Sequence, residues 1–131
     1  MLYELRTYHA MPGRLPDLNR RFAEITMDFF KKHDIQVVGF WTNELGGSSD
    51  QLIYILAYDS LADREKKWGA FSTDPEWLEK RAETERNGPL VQTFSNQFLK
   101  PTEKGVGDSM QGGGGTVDAP PVKRPGGKGQ K

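Results

Sequence analysis

The spacing of apolar residues changes between two periods along the chain, and this change constrains the fold more than any other feature. In residues 2–9 the side chains alternate between two sets, the pattern of a β-strand. In residues 15–32 the apolar side chains recur every three or four positions, which aligns them on one helical face. The chain therefore begins with a strand followed by a long helix.

The rest of the sequence adds two strands, a second helix and a last strand. A glycine- and serine-rich stretch, residues 46–50, is typical of a turn between two antiparallel strands. Asp74 and Pro75 restart the second helix, as an N-cap and a first-turn proline. The elements are predicted at residues 35–44, 51–58, 60–72, 74–86 and 91–99.

The order β-α-β-β-α-β predicts an α+β, ferredoxin-like fold with a four-stranded antiparallel sheet. In this topology the first and third strands are central and both helices lie on one side of the sheet. The other side is then open, and an open apolar sheet face is unusual in a soluble monomer. We therefore expect the chain to form a homodimer.

The register of the first strand decides which side chains reach the helices. If Leu5 and Thr7 face the helices, then Glu4, Arg6 and Tyr8 project from the far side of the sheet. A slip of one residue would exchange the two sets.

Composition excludes several classes of protein. With no cysteine, the chain has no disulfide, thiolate nucleophile or cysteine-based metal site. Its formal net charge is zero, which argues against nucleic acid as a partner. No apolar run is long enough to span a membrane, and the N-terminus does not resemble a signal peptide. We expect a cytoplasmic protein.

Residues 102–131 differ from the rest of the chain. They contain no aromatic residue, and glycine occupies every position from 112 to 115. Such a segment cannot bury enough apolar surface to offset its ordering entropy. We predict a folded domain at residues 1–101 and a disordered Gly/Pro/Lys-rich tail at residues 102–131.

Charged residues inside a central strand are the first candidate site. Glu4 and Arg6 are two residues apart and point to the same face, and burying them is costly unless they find partners. They could form an ion pair that fixes dimer register, or a polar patch that orients a small ligand. Candidates to share the patch are Tyr8, Glu44, Tyr54 and Tyr58.

The two histidines do not indicate a metal site. Neither has a second histidine or an acidic cluster at ligand spacing, so we predict no metal and no cofactor. His33 ends a helix, where an imidazolium complements the helix dipole. His9 follows the charged strand and could reach the mouth of a pocket.

Large rings are abundant in the first hundred residues. Trp41, Trp68 and Trp77 stand beside four tyrosines, and each ring stabilises the fold when buried. They predict either core and dimer interface or a pocket for a small apolar or aromatic ligand. Trp41 is the tryptophan we include among the ligand-binding candidates.

Three blocks of the sequence resemble the NIPSNAP domain. They are YELRTYHAMPGRL at residues 3–15, the block from VVGFWTNELGG to STDPEW at residues 37–77, and FLKP at residues 98–101. The resemblance implies a dimeric α+β barrel built from ferredoxin-like protomers. Eukaryotic members are associated with mitochondria and vesicle transport, mostly as binding proteins. The single domain here suggests a bacterial-type member.

Two functions from different classes follow. The leading hypothesis is a NIPSNAP-type homodimer that binds a small molecule or a protein partner without catalysis. The alternative is a cofactor-free enzyme of the monooxygenase or isomerase type, with a pocket between sheet and helices. Its catalytic candidates are His9, Arg6, Tyr8 and Tyr54. A purely structural interaction module is a third possibility.

Overall fold

The computed structural model describes residues 1–106 as one sheet and its covering helices. Of the tail predicted at residues 102–131, residues 107–131 lie outside the described residues. The elements in chain order are β1 (Leu2–Ala10), α1 (Leu15–Arg21), a π-helical segment (Phe22–Thr26), α2 (Met27–Lys32), β2 (Gln36–Thr42), β3 (Gln51–Tyr58), α3 (Leu61–Ser72), α4 (Pro75–Thr84) and β4 (Val91–Leu99).

The long helix predicted at residues 15–32 is confirmed, but its middle is not α-helical. It begins with Pro16 in the first turn and Asp17 near the positive end of the dipole. Between α1 and α2 the Met27 N–H donates to the Phe22 carbonyl, five residues back, as in a π-helix. Apolar spacing alone did not predict this segment.

In the second helical region, α3 and α4 each begin directly after a predicted N-cap residue. The Ser60 hydroxyl accepts from the Asp63 N–H at the start of α3, and the Asp74 carboxylate accepts from the Glu76 N–H at the start of α4. Asp74 also ties α4 to the end of the long helix, since it lies 2.8 Å from Lys32 Nζ and 2.7 Å from His33 Nε2. The hydrogen bonds from Lys32 and His33 hold the pKa of Asp74 well below its usual value.

The turn between β2 and β3 requires glycine at two positions. Gly46 and Gly47 have φ angles of 84° and 70°, in the left-handed region that glycine adopts without strain. The predicted hairpin is therefore confirmed. Its first strand is shorter than predicted, because β2 ends at Thr42.

The sheet has the order β2-β3-β1-β4 with every pair antiparallel, so β1 and β3 are central as predicted. Glu4 pairs with Leu56, Arg6 with Tyr54 and Tyr8 with Leu52. Directly paired residues share a face of the sheet. The polar residues of β1 therefore share a face with the buried apolar and tyrosine side chains of β3.

That face is the one the helices cover, so of the two arrangements that the sequence left open, the structure has Glu4, Arg6 and Tyr8 on the helix side. Glu4 bonds to Arg64 of α3, and the Tyr8 ring packs on Phe22 of the long helix. Glu4 and Arg6 can face the helices because both find hydrogen-bond partners there, which makes the burial of their charges tolerable. The ferredoxin-like fold itself is confirmed.

The opposite face of the sheet carries apolar side chains that the helices do not contact. Leu5, Ile53 and Ile55 are half-buried there, and Trp41 on β2 is 49% exposed. These side chains are not part of the hydrophobic core that lies between the sheet and the helices.

Candidate functional site

A buried carboxylate lies at the centre of the polar network on β1. Glu4 is fully buried, and its Oε2 accepts from Arg6 Nη1 at 2.8 Å, Asn96 Nδ2 at 2.7 Å and Arg64 Nη2 at 3.1 Å. Oε1 accepts from Arg64 Nε at 3.2 Å. Burial alone would raise the pKa of Glu4, but these hydrogen bonds and positive charges outweigh it and lower the pKa. We call Glu4, Arg6, Arg64 and Asn96 the Glu4 cluster.

Arg6 links this carboxylate to two tyrosines. Its Nε donates to the Tyr54 hydroxyl at 2.8 Å and its Nη2 to the Tyr8 hydroxyl at 3.2 Å, so all three guanidinium nitrogens are engaged. The guanidinium also stacks over Trp68, 4.2 Å from the ring centroid. Burial disfavours the charge, yet the surrounding oxygens keep the pKa of Arg6 above its usual value.

Tyr54 is fully buried beside Arg6, and its hydroxyl donates to the Tyr8 hydroxyl at 3.1 Å. Burial raises the pKa of Tyr54 well above its ordinary value, although Arg6 opposes the shift. The phenol therefore stays protonated at neutral pH. Arg6, Tyr54 and Tyr8 form a chain of hydrogen-bond donors.

A second group of charges lies where the long helix meets α4. Arg21 Nη1 donates to Glu85 Oε2 at 2.9 Å and to the Thr84 hydroxyl at 3.3 Å, and Arg81 Nε lies 3.5 Å from the same Glu85 oxygen. We call Arg21, Arg81 and Glu85 the Glu85 cluster. Two arginines again share one carboxylate.

Three buried side-chain atoms within residues 1–106 lack a hydrogen-bond partner. They are Arg21 Nε, the Thr26 hydroxyl and the Tyr58 hydroxyl. Leaving such groups without partners in a protein interior costs free energy. Arg21 and Thr26 are 5% and 2% exposed and belong to the same stretch of the long helix.

A cavity of about 240 Å³ lies between the sheet and the helices, and we call it the sheet–helix cavity. Three arginines and eight aromatic side chains line it, and no acidic residue does so within the described part of the chain. The lining residues are Arg6, Tyr8, Arg21, Phe22, Thr26, Phe30, Tyr54, Trp68, Phe71, Ser72, Trp77, Arg81, Val91 and Phe94. The cavity is lined by Arg6 of the Glu4 cluster, by Arg21 and Arg81 of the Glu85 cluster, and by the aromatic side chains.

The structure brings some of the predicted site residues together and separates others. Arg6, Tyr8 and Tyr54 line the sheet–helix cavity, and Glu4 lies directly behind Arg6. Tyr58 is buried on the same face of β3. Burial raises the pKa of its hydroxyl.

The other three candidates lie elsewhere. His9 shares the opposite sheet face with Gln51, and its Nδ1 lies 3.7 Å from Asp50. Trp41 lines a separate cavity of about 300 Å³ at the β2 edge, which we call the edge cavity. Glu44 is exposed in the β2–β3 turn.

Sequence reasoning left several residues in and around the cavity out of the candidate site. Arg64 and Trp68 are four residues apart on α3, so a helical-face count would have found them together. Arg21 and Thr26 are five residues apart, a spacing that separates side chains on an α-helix. The π-helical segment that places both residues beside the cavity is not indicated by any pattern in the sequence.

Two absences concern only residues 1–106. That range contains no group of three or more His, Asp or Glu side chains placed to hold a metal ion. None of its helices is both long and apolar enough to cross a membrane.

Fold and site together define a ferredoxin-like α+β protein with a charged, aromatic-walled cavity under its sheet. The NIPSNAP family model matches residues 3–104, which is most of the chain. The protein therefore belongs to the NIPSNAP family, in agreement with the resemblance of its sequence blocks.

Relatives and solved structures agree with this assignment. Protein NipSnap homolog 3B of Mus musculus is 31% identical over 78 residues, which are 60% of this chain and 31% of the relative. The chain thus spans about a third of the length of that curated relative. A solved protein from Agrobacterium tumefaciens superposes with a TM-score of 0.69 at 28% identity, covering 79% of this chain and 95% of the other.

A NIPSNAP domain protein from Burkholderia xenovorans has the same TM-score of 0.69 at 21% identity. Its match covers 79% of this chain and 96% of the other. At that identity the likeness supports the fold alone.

Proposed function

We propose that this NIPSNAP-family protein is a homodimer whose protomers each bind a small molecule in the sheet–helix cavity. The carrying observation is the cavity itself, about 240 Å³ and lined by aromatic rings and guanidinium groups. Ligand pockets are mostly apolar, with a few polar groups that fix orientation. We assign the binding function to residues 1–101.

Dimer formation is supported by the face of the sheet that the helices do not cover. Leu5, Ile53 and Ile55 lie there on the two central strands. Pairing two such faces would remove apolar surface from water on both copies, at about 25 cal/mol per Å². The Glu4 cluster does not contribute to this surface, because it lies on the helix side.

Sedimentation velocity on the full chain at micromolar concentration tests the dimer. We expect a dimer for the wild type and a monomer for Ile53→Lys, since a buried lysine at the centre of the face would lack a partner. Glu79→Lys, on the exposed side of α4, is the matched control and should stay dimeric. A wild-type monomer, or an Ile53→Lys dimer with unchanged affinity, would remove this part of the proposal.

Ligand binding is tested with small neutral aromatic molecules, such as benzamide and indole, followed by ¹⁵N chemical shifts. We expect shifts around Trp68, Phe71 and Trp77, and loss of binding in Val91→Phe, which fills the sheet–helix cavity. Ala23→Phe is the matched control because it fills the edge cavity instead. Shifts confined to the edge cavity would contradict the proposed binding site.

A cofactor-free enzyme is the second candidate, and one observation favours it. Arg6, Tyr8 and Tyr54 meet in one hydrogen-bonded chain at the cavity wall. Such donors could stabilise negative charge that develops on a bound substrate. Turnover of a bound aromatic compound that Tyr54→Phe abolishes without loss of binding would establish this activity.

A further inference from the structure

Two buried donors without a hydrogen-bond partner belong to residues that line the sheet–helix cavity. The Arg21 side chain is 5% exposed and Thr26 is 2% exposed, yet Arg21 Nε and the Thr26 hydroxyl make no hydrogen bond within residues 1–106. A buried donor in a folded protein is nearly always paired. Two unpaired donors on residues that line one cavity suggest that a ligand supplies the acceptor.

The π-helical segment explains how these donors come to share the cavity. On an α-helix, residues five apart are rotated by about 140° from one another. The hydrogen bond from Met27 N–H to the Phe22 carbonyl widens this turn and brings residues five apart toward one side. Arg21 and Thr26 both line the cavity as a result. Such segments are frequent at functional sites.

The charges around the cavity favour an anion. Arg6 and Arg64 share Glu4, while Arg21 and Arg81 share Glu85. Four guanidinium groups and two carboxylates leave a net charge of +2 around the walls. An anionic group is the acceptor that suits both the excess charge and a guanidinium Nε.

The remaining wall suits a flat apolar body. Phe22, Phe30, Trp68 and Phe71 surround the cavity, and rings of this kind pack well against another aromatic ring. A dry cavity of about 150 Å³ in an engineered protein already holds benzene. At about 240 Å³ the sheet–helix cavity can hold one ring with a small substituent.

We infer that the ligand of this cavity is a small aromatic carboxylate. Its carboxylate accepts hydrogen bonds from Arg21 Nε and the Thr26 hydroxyl, and its ring packs among the aromatic walls. The inference rests on the proposed function and adds the chemical class of the ligand and the atoms that recognise it.

Benzoate and benzamide test the inference, because they share size and shape and differ in charge. Isothermal titration of the full chain at pH 7 should show benzoate binding at least about tenfold more tightly than benzamide, the effect of a hydrogen bond to a charged acceptor. Equal binding of both compounds would overturn the anion preference and leave the proposed binding function intact. Binding of neither would overturn both.

Thr26→Val removes one donor while keeping the shape of the side chain. We expect benzoate affinity to fall about tenfold and benzamide affinity to change by less than about twofold. Thr42→Val, in the edge cavity, is the matched control and should leave benzoate binding unchanged. Unchanged benzoate affinity in Thr26→Val would refute the assigned role of its hydroxyl.

Arg21→Lys tests the second donor with the positive charge retained. Lysine can still pair with Glu85 but has no Nε donor at the guanidinium position. We expect weaker benzoate binding with folded structure preserved, as judged by circular dichroism. Wild-type affinity in this variant would show that charge alone attracts the anion and would refute the assigned role of Nε.

Discussion

The Glu4 cluster and the Glu85 cluster have the same chemical plan, two arginines on one carboxylate, but differ in how completely they are satisfied. In the Glu4 cluster all three nitrogens of Arg6 are bonded and both Glu4 oxygens accept. In the Glu85 cluster Arg21 bonds through Nη1 and leaves Nε unpaired. A fully satisfied polar network rigidifies a protein interior, whereas an unpaired buried polar group costs free energy.

Position in the fold accounts for part of this difference. Glu4 lies on a central strand, where Asn96 of β4 and Arg64 of α3 reach it from two sides. Glu85 follows α4 and is 25% exposed, so water can complete its shell. The first cluster therefore contributes to holding sheet and helix together, whereas the second leaves one buried donor, Arg21 Nε, without a partner.

Glu4→Gln should produce the largest loss of stability. It removes the charge that compensates buried Arg6 and Arg64, and breaking a buried pair from one side typically costs about 3–5 kcal/mol. We expect the free energy of unfolding at pH 7 to fall by about 3 kcal/mol, measured by urea denaturation.

The matched control for this variant is Glu79→Gln, on exposed α4. An exposed substitution of this kind should change stability by less than about 0.5 kcal/mol. A loss below about 1 kcal/mol in Glu4→Gln would mean that the Glu4 cluster is not a structural network.

Lowering the pH should narrow the difference in the free energy of unfolding between the wild type and Glu4→Gln. The pKa of Glu4 is lower in the folded protein than in the unfolded chain, so its stabilisation is complete above the unfolded value and is lost as pH falls through the folded one. Below about pH 4 the wild type should lose stability faster than the variant. Urea titrations between pH 7 and pH 3 measure this, and a constant difference would contradict the charge argument.

Glu85→Gln should cost less than Glu4→Gln, which tests the contrast between the clusters directly. Glu85 is partly exposed, and the Thr84 hydroxyl still accepts from Arg21 Nη1. We expect a loss of about 1 kcal/mol, between the values for exposed and buried ion pairs. Equal losses in the two variants would remove the distinction between a structural and an open cluster.

The sequence predicted the elements of this fold better than the site. Period-two and helical spacing located β1 and the long helix, because each buries one regular face, and the glycine-rich turn located the β2–β3 hairpin. The Glu4, Arg6 and Tyr8 set was recognised, but not the side of the sheet it faces, because partners such as Arg64 and Asn96 are distant in sequence.

Long-range contacts are the general reason for this limit. The bonds that orient Glu4 join residues 60 and 92 positions apart, and no local pattern encodes them. The same holds for Thr26, whose position depends on a π-helical turn within an otherwise regular helical spacing. Placing His9 outside the sheet–helix cavity likewise required the register of β1.

Thr26→Val should have the smallest effect on the free energy of unfolding, in contrast to the loss expected for the charged clusters. Its hydroxyl is buried without a partner, so exchanging it for a methyl group removes an unmet polar group at nearly constant volume. We expect the free energy of unfolding to stay within about 0.5 kcal/mol of the wild type or to rise, in contrast to Glu4→Gln. Tyr58→Phe, which also removes an unpaired buried hydroxyl, should behave alike. A loss of more than about 1 kcal/mol in the free energy of unfolding of Thr26→Val would show that the hydroxyl is hydrogen-bonded in the free protein. A ligand could then bind this donor only if that hydrogen bond broke.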